Sequence, residues 1–166
     1  MLILRAVERA DISFLRDMLY EALFIPPGQA PYPREILDLP EIARYLVDFG
    51  RPGDTGVVAM IEGERVGAAW ARLWTESEHG YAFVDEDTPE ITIAIRPESR
   101  GRDIGTMLLE ELLHKLDERY ETSSLSVHPR SPAVRLYQRL GFSHVDWVGE
   151  SMLMVRYRSE ISAVAL

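Results

Sequence analysis

The sequence contains no cysteine, so disulfides, thiolate zinc sites, iron–sulfur clusters and any route through a cysteine nucleophile are excluded. It also lacks the run of about 18 apolar residues that a membrane span needs. Met1-Leu2-Ile3-Leu4 meets Arg5 and Glu8 too early for a secretory signal. These absences predict a soluble, cytoplasmic protein without a membrane partner. Basic charge is scarce: 18 Lys and Arg face 27 Asp and Glu, a net charge of -9, which argues against nucleic acid as a partner. The four histidines, His79, His114, His128 and His144, show no H-E-x-x-H or similar ligand spacing, and no metal is expected.

The 166 residues are 46% hydrophobic and 27% charged, which fits one globular domain over residues 1–166 with an ordinary core. The charge is uneven. Between Arg96 and Arg139, eight basic residues face seven acidic ones, so an anion could dock there although the chain as a whole repels one.

Hydrophobic spacing orders the elements. A strand at Leu2–Val7 precedes a helix that Asp11 would cap, with Ile12, Leu15, Leu19, Ala22 and Leu23 on one face. Five prolines and Gly28 make Ile25–Pro40 a long loop with a short helical turn at Arg34–Leu37. A helix is predicted over Glu41–Phe49, and a hairpin from Thr55–Ile61 and Val66–Trp74 around a glycine turn. A strand with alternating Ile91, Ile93 and Ile95 leads into a helix carrying Ile104, Leu108, Leu112 and Leu116. A short strand at Leu125–Val127, a helix opened by Ser131-Pro132 and ended by Gly141, and strands near Phe142–Val145 and Met152–Tyr157 close the chain. This order predicts an α/β fold with a mixed sheet.

The link from the isoleucine strand to its helix, Arg100-Gly101-Arg102-Asp103-Ile104-Gly105-Thr106, combines glycines, two arginines and a helix start with free N–H groups. Those parts suit a diphosphate, although no Walker A or G-x-G-x-x-G spacing is present. On residue types alone, an ordinary strand-to-helix turn with solvated arginines accounts for it equally well.

Arg100-x-x-Asp103-x-Gly105, preceded by Ile93-Ala94-Ile95-Arg96, resembles the Q/R-x-x-G-x-G/A motif of the GNAT superfamily of N-acetyltransferases. About thirty residues later, Leu125 to Phe142 is similar to the second motif of that family and ends in L-Y-x-x-x-G-F at Leu136–Phe142. The chain departs from the family pattern twice. Asp103 stands at the middle glycine, and Ser131 at the asparagine usual before Pro132. A carboxylate near phosphate is unfavourable, so Asp103 is expected to turn towards its own helix N–H groups.

The resemblance implies a mostly antiparallel, twisted sheet of about seven strands, splayed between its central strands and flanked by helices. It implies acetyl-CoA as co-substrate. The diphosphate would lie on Arg100, Gly101, Arg102, Asp103, Ile104, Gly105 and Thr106, and the pantetheine arm would lie along Ile93, Ala94, Ile95 and Arg96, with Ser131 nearby. Tyr137 matches the family's usual general acid, and Glu90 stands where many relatives place the group that accepts the amine proton. Tyr137 could equally be a packed helix aromatic, and Glu90 a solvated strand-end carboxylate. His79 and Tyr81 are further candidates in the preceding loop.

The expected reaction is direct acetyl transfer to a primary amine of a small molecule within a ternary complex. The alternatives are acetylation of a protein N-terminus or lysine, and a non-catalytic acyl-CoA-binding regulatory module. Glu76, Glu78, Asp85, Glu86, Asp87 and Glu90 form an acidic group that would favour a cationic acceptor, with Trp70, Trp74, Tyr81 and Phe83 as an aromatic wall and Ile25–Pro40 as a cover. A homodimer is allowed, with Arg158–Leu166 as a swapped or frayed tail.

Overall fold

The computed structural model describes residues 1–158; the tail expectation falls almost wholly on residues 159–166, outside them. The described residues form one mixed seven-stranded sheet, as the sequence predicts, in the order β1-β2-β3-β4-β5-β7-β6. Its strands are β1 (Leu2–Ala6), β2 (Thr55–Ile61), β3 (Glu64–Arg72), β4 (Glu90–Ile95), β5 (Thr122–Val127), β6 (Ser143–Val148) and β7 (Ser151–Tyr157). The helices are α1 (Ile12–Ala22), α2 (Pro40–Ala43), α3 (Ile104–Asp117) and α4 (Ala133–Arg139). Every neighbouring pair is antiparallel except β4 and β5. Those two are joined through α3, and a crossover of that kind returns the chain parallel.

The hairpin β2–β3 turns at Glu62-Gly63, both with positive φ (50° and 79°), the two-residue geometry that matches strand twist. Helices cover both faces. α1 packs Phe14, Leu15 and Met18 against Trp70, Trp74 and Ala94 on one side. α3 packs Leu108, Leu109 and Leu112 against Val57, Ala69 and Ile91 on the other. β3 is built from small residues because α3 comes close: a Cβ at Gly67 would lie 2.6 Å from Ile95 Cδ1 and 3.1 Å from Leu108 Cδ1.

Four local expectations are corrected. The helix predicted over Glu41–Phe49 holds α-geometry only through Ala43 and continues as turns to Gly50. The carbonyls of Arg44 and Tyr45, which a longer helix would use, instead accept Arg72 Nη1 and Trp70 Nε1 at 2.7 and 3.2 Å. Asp11 does not cap α1 with its side chain. Its fully buried carboxylate accepts Arg5 at 2.7 and 2.9 Å, Arg65 at 2.8 Å and the Glu8 N–H at 2.7 Å. The Arg5 bonds above all hold it down to about 2. β5 begins at Thr122, three residues before the apolar signal at Leu125, because Ser124 satisfies its hydroxyl within the fold by donating to Ala82 O at 2.6 Å. α4 begins at Ala133 with Pro132 at the cap position, and Ser131 Oγ accepts the Ala133 N–H at 3.2 Å.

The sheet is forked at its centre. Among the described residues β4 and β5 share one registered pair, Glu90 with Ser124, whose N–H donates to Pro89 O at 3.0 Å. Beyond it β5 keeps a six-residue ladder with β7, and β4 keeps one with β3. A V-shaped gap therefore opens between Ile93 and Leu125, towards the start of α3.

Candidate active site

The vertex of the fork is occupied by Glu90, 3% exposed. Three donors converge on its carboxylate: Trp74 Nε1 at 2.9 Å and the Ala82 N–H at 3.1 Å on Oε1, and Tyr45 Oη at 2.6 Å on Oε2. Burial pushes the group up to about 7, and those three hydrogen bonds oppose the rise without cancelling it. Glu90 thus exchanges its proton near neutrality, a property an exposed glutamate lacks. Tyr45 is pushed far above the ordinary phenol range by burial and by the charge of Glu90.

Tyr137 enters from α4 on the other side of the gap. It is 8% exposed, its ring meets Phe142 edge-on at 6.1 Å, and burial raises it to about 12. Glu90, Tyr45 and Tyr137 line one half-open cleft of about 120 Å³, whose walls include Leu19 of α1, Leu23 just after it, Ile42, Ile93 and Leu125. The cleft therefore holds a group that exchanges a proton near pH 7 opposite a phenol that keeps its proton at that pH.

At the open end of the gap the start of α3 presents free backbone amides. The first bond of α3 runs from the Met107 N–H to Asp103 O at 3.1 Å, which leaves the amides of Ile104, Gly105 and Thr106 ahead of the ladder. Gly101 and Asp103 both take positive φ, 78° and 61°. A glycine adopts that geometry without strain and an aspartate does not. Asp103 occupies the cap position of α3 but makes no side-chain capping bond, so the expected turn towards its own amides is not observed. At Gly105 a Cβ would lie 3.5 Å from Leu136 Cδ2 and 4.0 Å from Ile95 Cγ1, ordinary contact distances, so packing of the protein on itself does not require a glycine there.

The remaining candidates divide. The ladder to β3 binds the Arg96 N–H to Val66 O at 2.8 Å, and alternation along an antiparallel pair turns the edge groups of Ala94 the same way and those of Ile93 and Ile95 towards the gap. The Arg96 guanidinium stacks on Phe14 at 5.0 Å and donates to Arg65 O at 3.0 Å, on the α1 side. Arg100 and Arg102 are exposed beside α3; Arg100 donates to Ile95 O and to Glu21, each at 3.1 Å. Arg139 Nη2 lies 3.5 Å from Thr106 Oγ1, tying α4 to α3.

Around the vertex, Tyr81 lines the cleft, donates its N–H to Tyr45 Oη at 2.8 Å and lies parallel to that ring at 6.4 Å. His79 stacks on Phe83 at 4.4 Å. The aromatic wall reduces to Tyr81, since Trp70 and Trp74 are core residues. Glu90 is buried and leaves the acidic group, whose other five carboxylates are exposed. The Ile25–Pro40 loop is tied to α1 by Arg34–Asp17 and Arg16–Asp38 pairs at 2.7 and 2.9 Å. Sequence reasoning missed Tyr45 altogether.

The model of the acetyltransferase (GNAT) family matches residues 15–142. No curated protein matches the chain by sequence. The phosphinothricin acetyltransferase of Sinorhizobium meliloti, solved in complex with acetyl-CoA, aligns with a TM-score of 0.69 at 22% identity, over 96% of this chain and 89% of that one. The ribosomal-protein-alanine N-acetyltransferase of Brucella melitensis gives 0.68 at 18% identity, over 94% and 99%. The dodecameric spermidine N-acetyltransferase of Vibrio cholerae gives 0.64 at 18% identity, over 99% and 98%. Identities this low establish a common fold, and the names of the three proteins carry different acceptors.

Proposed function

Because the chain belongs to the acetyltransferase (GNAT) family, we propose that it moves an acetyl group from acetyl-CoA to the primary amine of a small molecule while both are bound. The observation that carries this reading is the meeting of Glu90 and Tyr137 in one cleft at the fork of the sheet.

The residues present fit the co-substrate. Edge groups of Ile93 and Ile95 face the gap, three amides lead α3, and Arg100 and Arg102 stand beside them. Bound there, acetyl-CoA supplies an acetyl group activated as a thioester. Glu90 holds a proton drawn from the amine, which makes the nitrogen a nucleophile. Tyr137 Oη, protonated up to about pH 12, offers a proton to negative charge developing across the cleft. Leu19, Leu23, Ile42 and Leu125 give the cleft apolar walls.

A volume of about 120 Å³ is small even for a small-molecule site, and it favours a small amine over a peptide. The exposed carboxylates Glu76, Glu78, Asp85, Glu86 and Asp87 favour a cationic acceptor. The test is thiol release from acetyl-CoA against a panel of small amines, amino acids and lysine-containing peptides. Release with one or more small amines is expected. Release only with peptides overturns the acceptor class, and binding of acetyl-CoA without release for any amine overturns the reaction.

A further inference from the structure

We propose that Tyr45 is a proton relay between the acceptor amine and Glu90, so that the phenol oxygen and not the carboxylate meets the substrate. This rests on the reading of Glu90 as the base. A carboxylate oxygen accepts about two hydrogen bonds. Oε1 of Glu90 already holds two, from Trp74 and the Ala82 N–H, so the carboxylate can take a proton only through Oε2, where Tyr45 Oη stands at 2.6 Å on one of its two lone pairs. Gly80 seals the far side, since a Cβ there would collide with both Glu90 Oε1 and Tyr45 Oη.

The Tyr45 hydroxyl gives its one proton to Glu90 and accepts the Tyr81 N–H at 2.8 Å, which leaves one lone pair. Its ring is fixed edge-on to Trp74 at 5.3 Å and parallel to Tyr81 at 6.4 Å, and the residue lines the cleft. An amine in the cleft therefore meets that lone pair as the nearest route to the buried carboxylate.

As the amine nitrogen forms its new C–N bond to the acetyl carbon, the thioester C–S bond breaks with its electron pair on sulfur, which takes its proton from the opposite side of the cleft, and one amine N–H bond breaks with its pair left on nitrogen. The proton bonds to Tyr45 Oη while the original Tyr45 O–H bond breaks, and the released proton bonds to Glu90 Oε2. The phenol is regenerated, and Glu90 ends neutral. Burial and the Glu90 charge oppose tyrosinate, so the two transfers are concerted. The other titratable or charged groups around Glu90 are His79 and Tyr81 from the β3–β4 loop, Arg72 on β3, itself paired with Asp54, and Tyr137 across the gap.

The experiment is the pH profile of kcat/KM for the wild type, Tyr45→Phe, Glu90→Gln and the double variant, with acetyl-CoA affinity and melting checked for each. Tyr45→Phe removes a bond that lowers Glu90, so its acidic limb moves to higher pH whatever the role of the phenol. A relay leaves the high-pH plateau at least tenfold below wild type, with the double variant no slower than Glu90→Gln. Recovery of the wild-type plateau means that Tyr45 only tunes the carboxylate and overturns the relay. Wild-type activity in Glu90→Gln overturns both the relay and the base it serves. A measurement on the unaltered enzyme stands beside these: two protons in flight give a curved dependence of kcat/KM on solvent deuterium fraction, and a straight line overturns the relay even if Tyr45→Phe does not fold.

Discussion

Trp74 Nε1 donates to Glu90 Oε1 at 2.9 Å, joining the chain two residues past the end of β3 to the first residue of β4 inside the core. The bond favours the charged form of Glu90 against burial, which pushes it up to about 7. Activity that needs the carboxylate therefore falls as pH drops through 7. Trp74→Phe removes the donor, and a hydrogen bond to a charged group is worth about 1.5–3 kcal/mol, so the acidic limb of kcat/KM should move up by about one to two pH units. An unmoved limb would mean that another group controls it.

The same burial makes Glu90 a liability for folding. Its ordinary value of 4.5 applies in the unfolded chain and about 7 in the folded one, so between those values the folded chain binds a proton that the unfolded chain releases. Stability contributed by this group is present below 4.5 and is lost as pH rises through 7. The loss at pH 8 is on the order of 3 kcal/mol. Glu90→Gln should accordingly melt higher than wild type at pH 8, lose that advantage at pH 4, and lose activity by about 10²-fold or more. Thermal melts at the two pH values decide the first point and steady-state rates the last.

The motif elements are legible in sequence because they are local. Ile91, Ile93 and Ile95 mark β4 by alternation, the Leu-rich face marks α3, and L-Y-x-x-x-G-F carries Tyr137 onto α4. Tyr45 is illegible for the opposite reason. It lies 45 residues from Glu90, in a segment whose helical pattern is broken by side chains from β3, and no short spacing records that meeting. Asp11 shows the same limit: a good cap by residue type is taken by Arg5 and Arg65, the latter 54 residues away. The polar start of β5 is hidden because Ser123 and Ser124 are buried without being hydrophobic.

Asp103 stands with φ of 61° at the head of α3 and makes no capping bond. A left-handed non-glycine residue carries roughly 1 kcal/mol or more of strain, and its charge lies beside the three leading amides. Asp103→Gly should raise stability by about that amount and tighten acetyl-CoA binding, while Asp103→Asn should recover the binding gain alone. Calorimetry and melts on the pair separate charge from backbone. An unchanged or weaker dissociation constant in both would show the carboxylate to be harmless to the cofactor.

Tyr137 differs from Tyr45 in having no hydrogen-bond partner for its hydroxyl among the described residues, so burial alone raises it to about 12. A phenol held this way loses little packing when its oxygen is removed, and Tyr137→Phe should fold with near-wild-type stability and bind acetyl-CoA as before. If Oη supplies the proton that ends the transfer, kcat falls by about 10²-fold with KM for the amine little changed, since the interaction is made only in the transition state. A better leaving group needs that proton less, so an acetyl thioester of lower thiol pKa should recover part of the lost rate in Tyr137→Phe while barely helping the wild type. A rate close to wild type with acetyl-CoA would instead reduce Tyr137 to the aromatic that packs on Phe142.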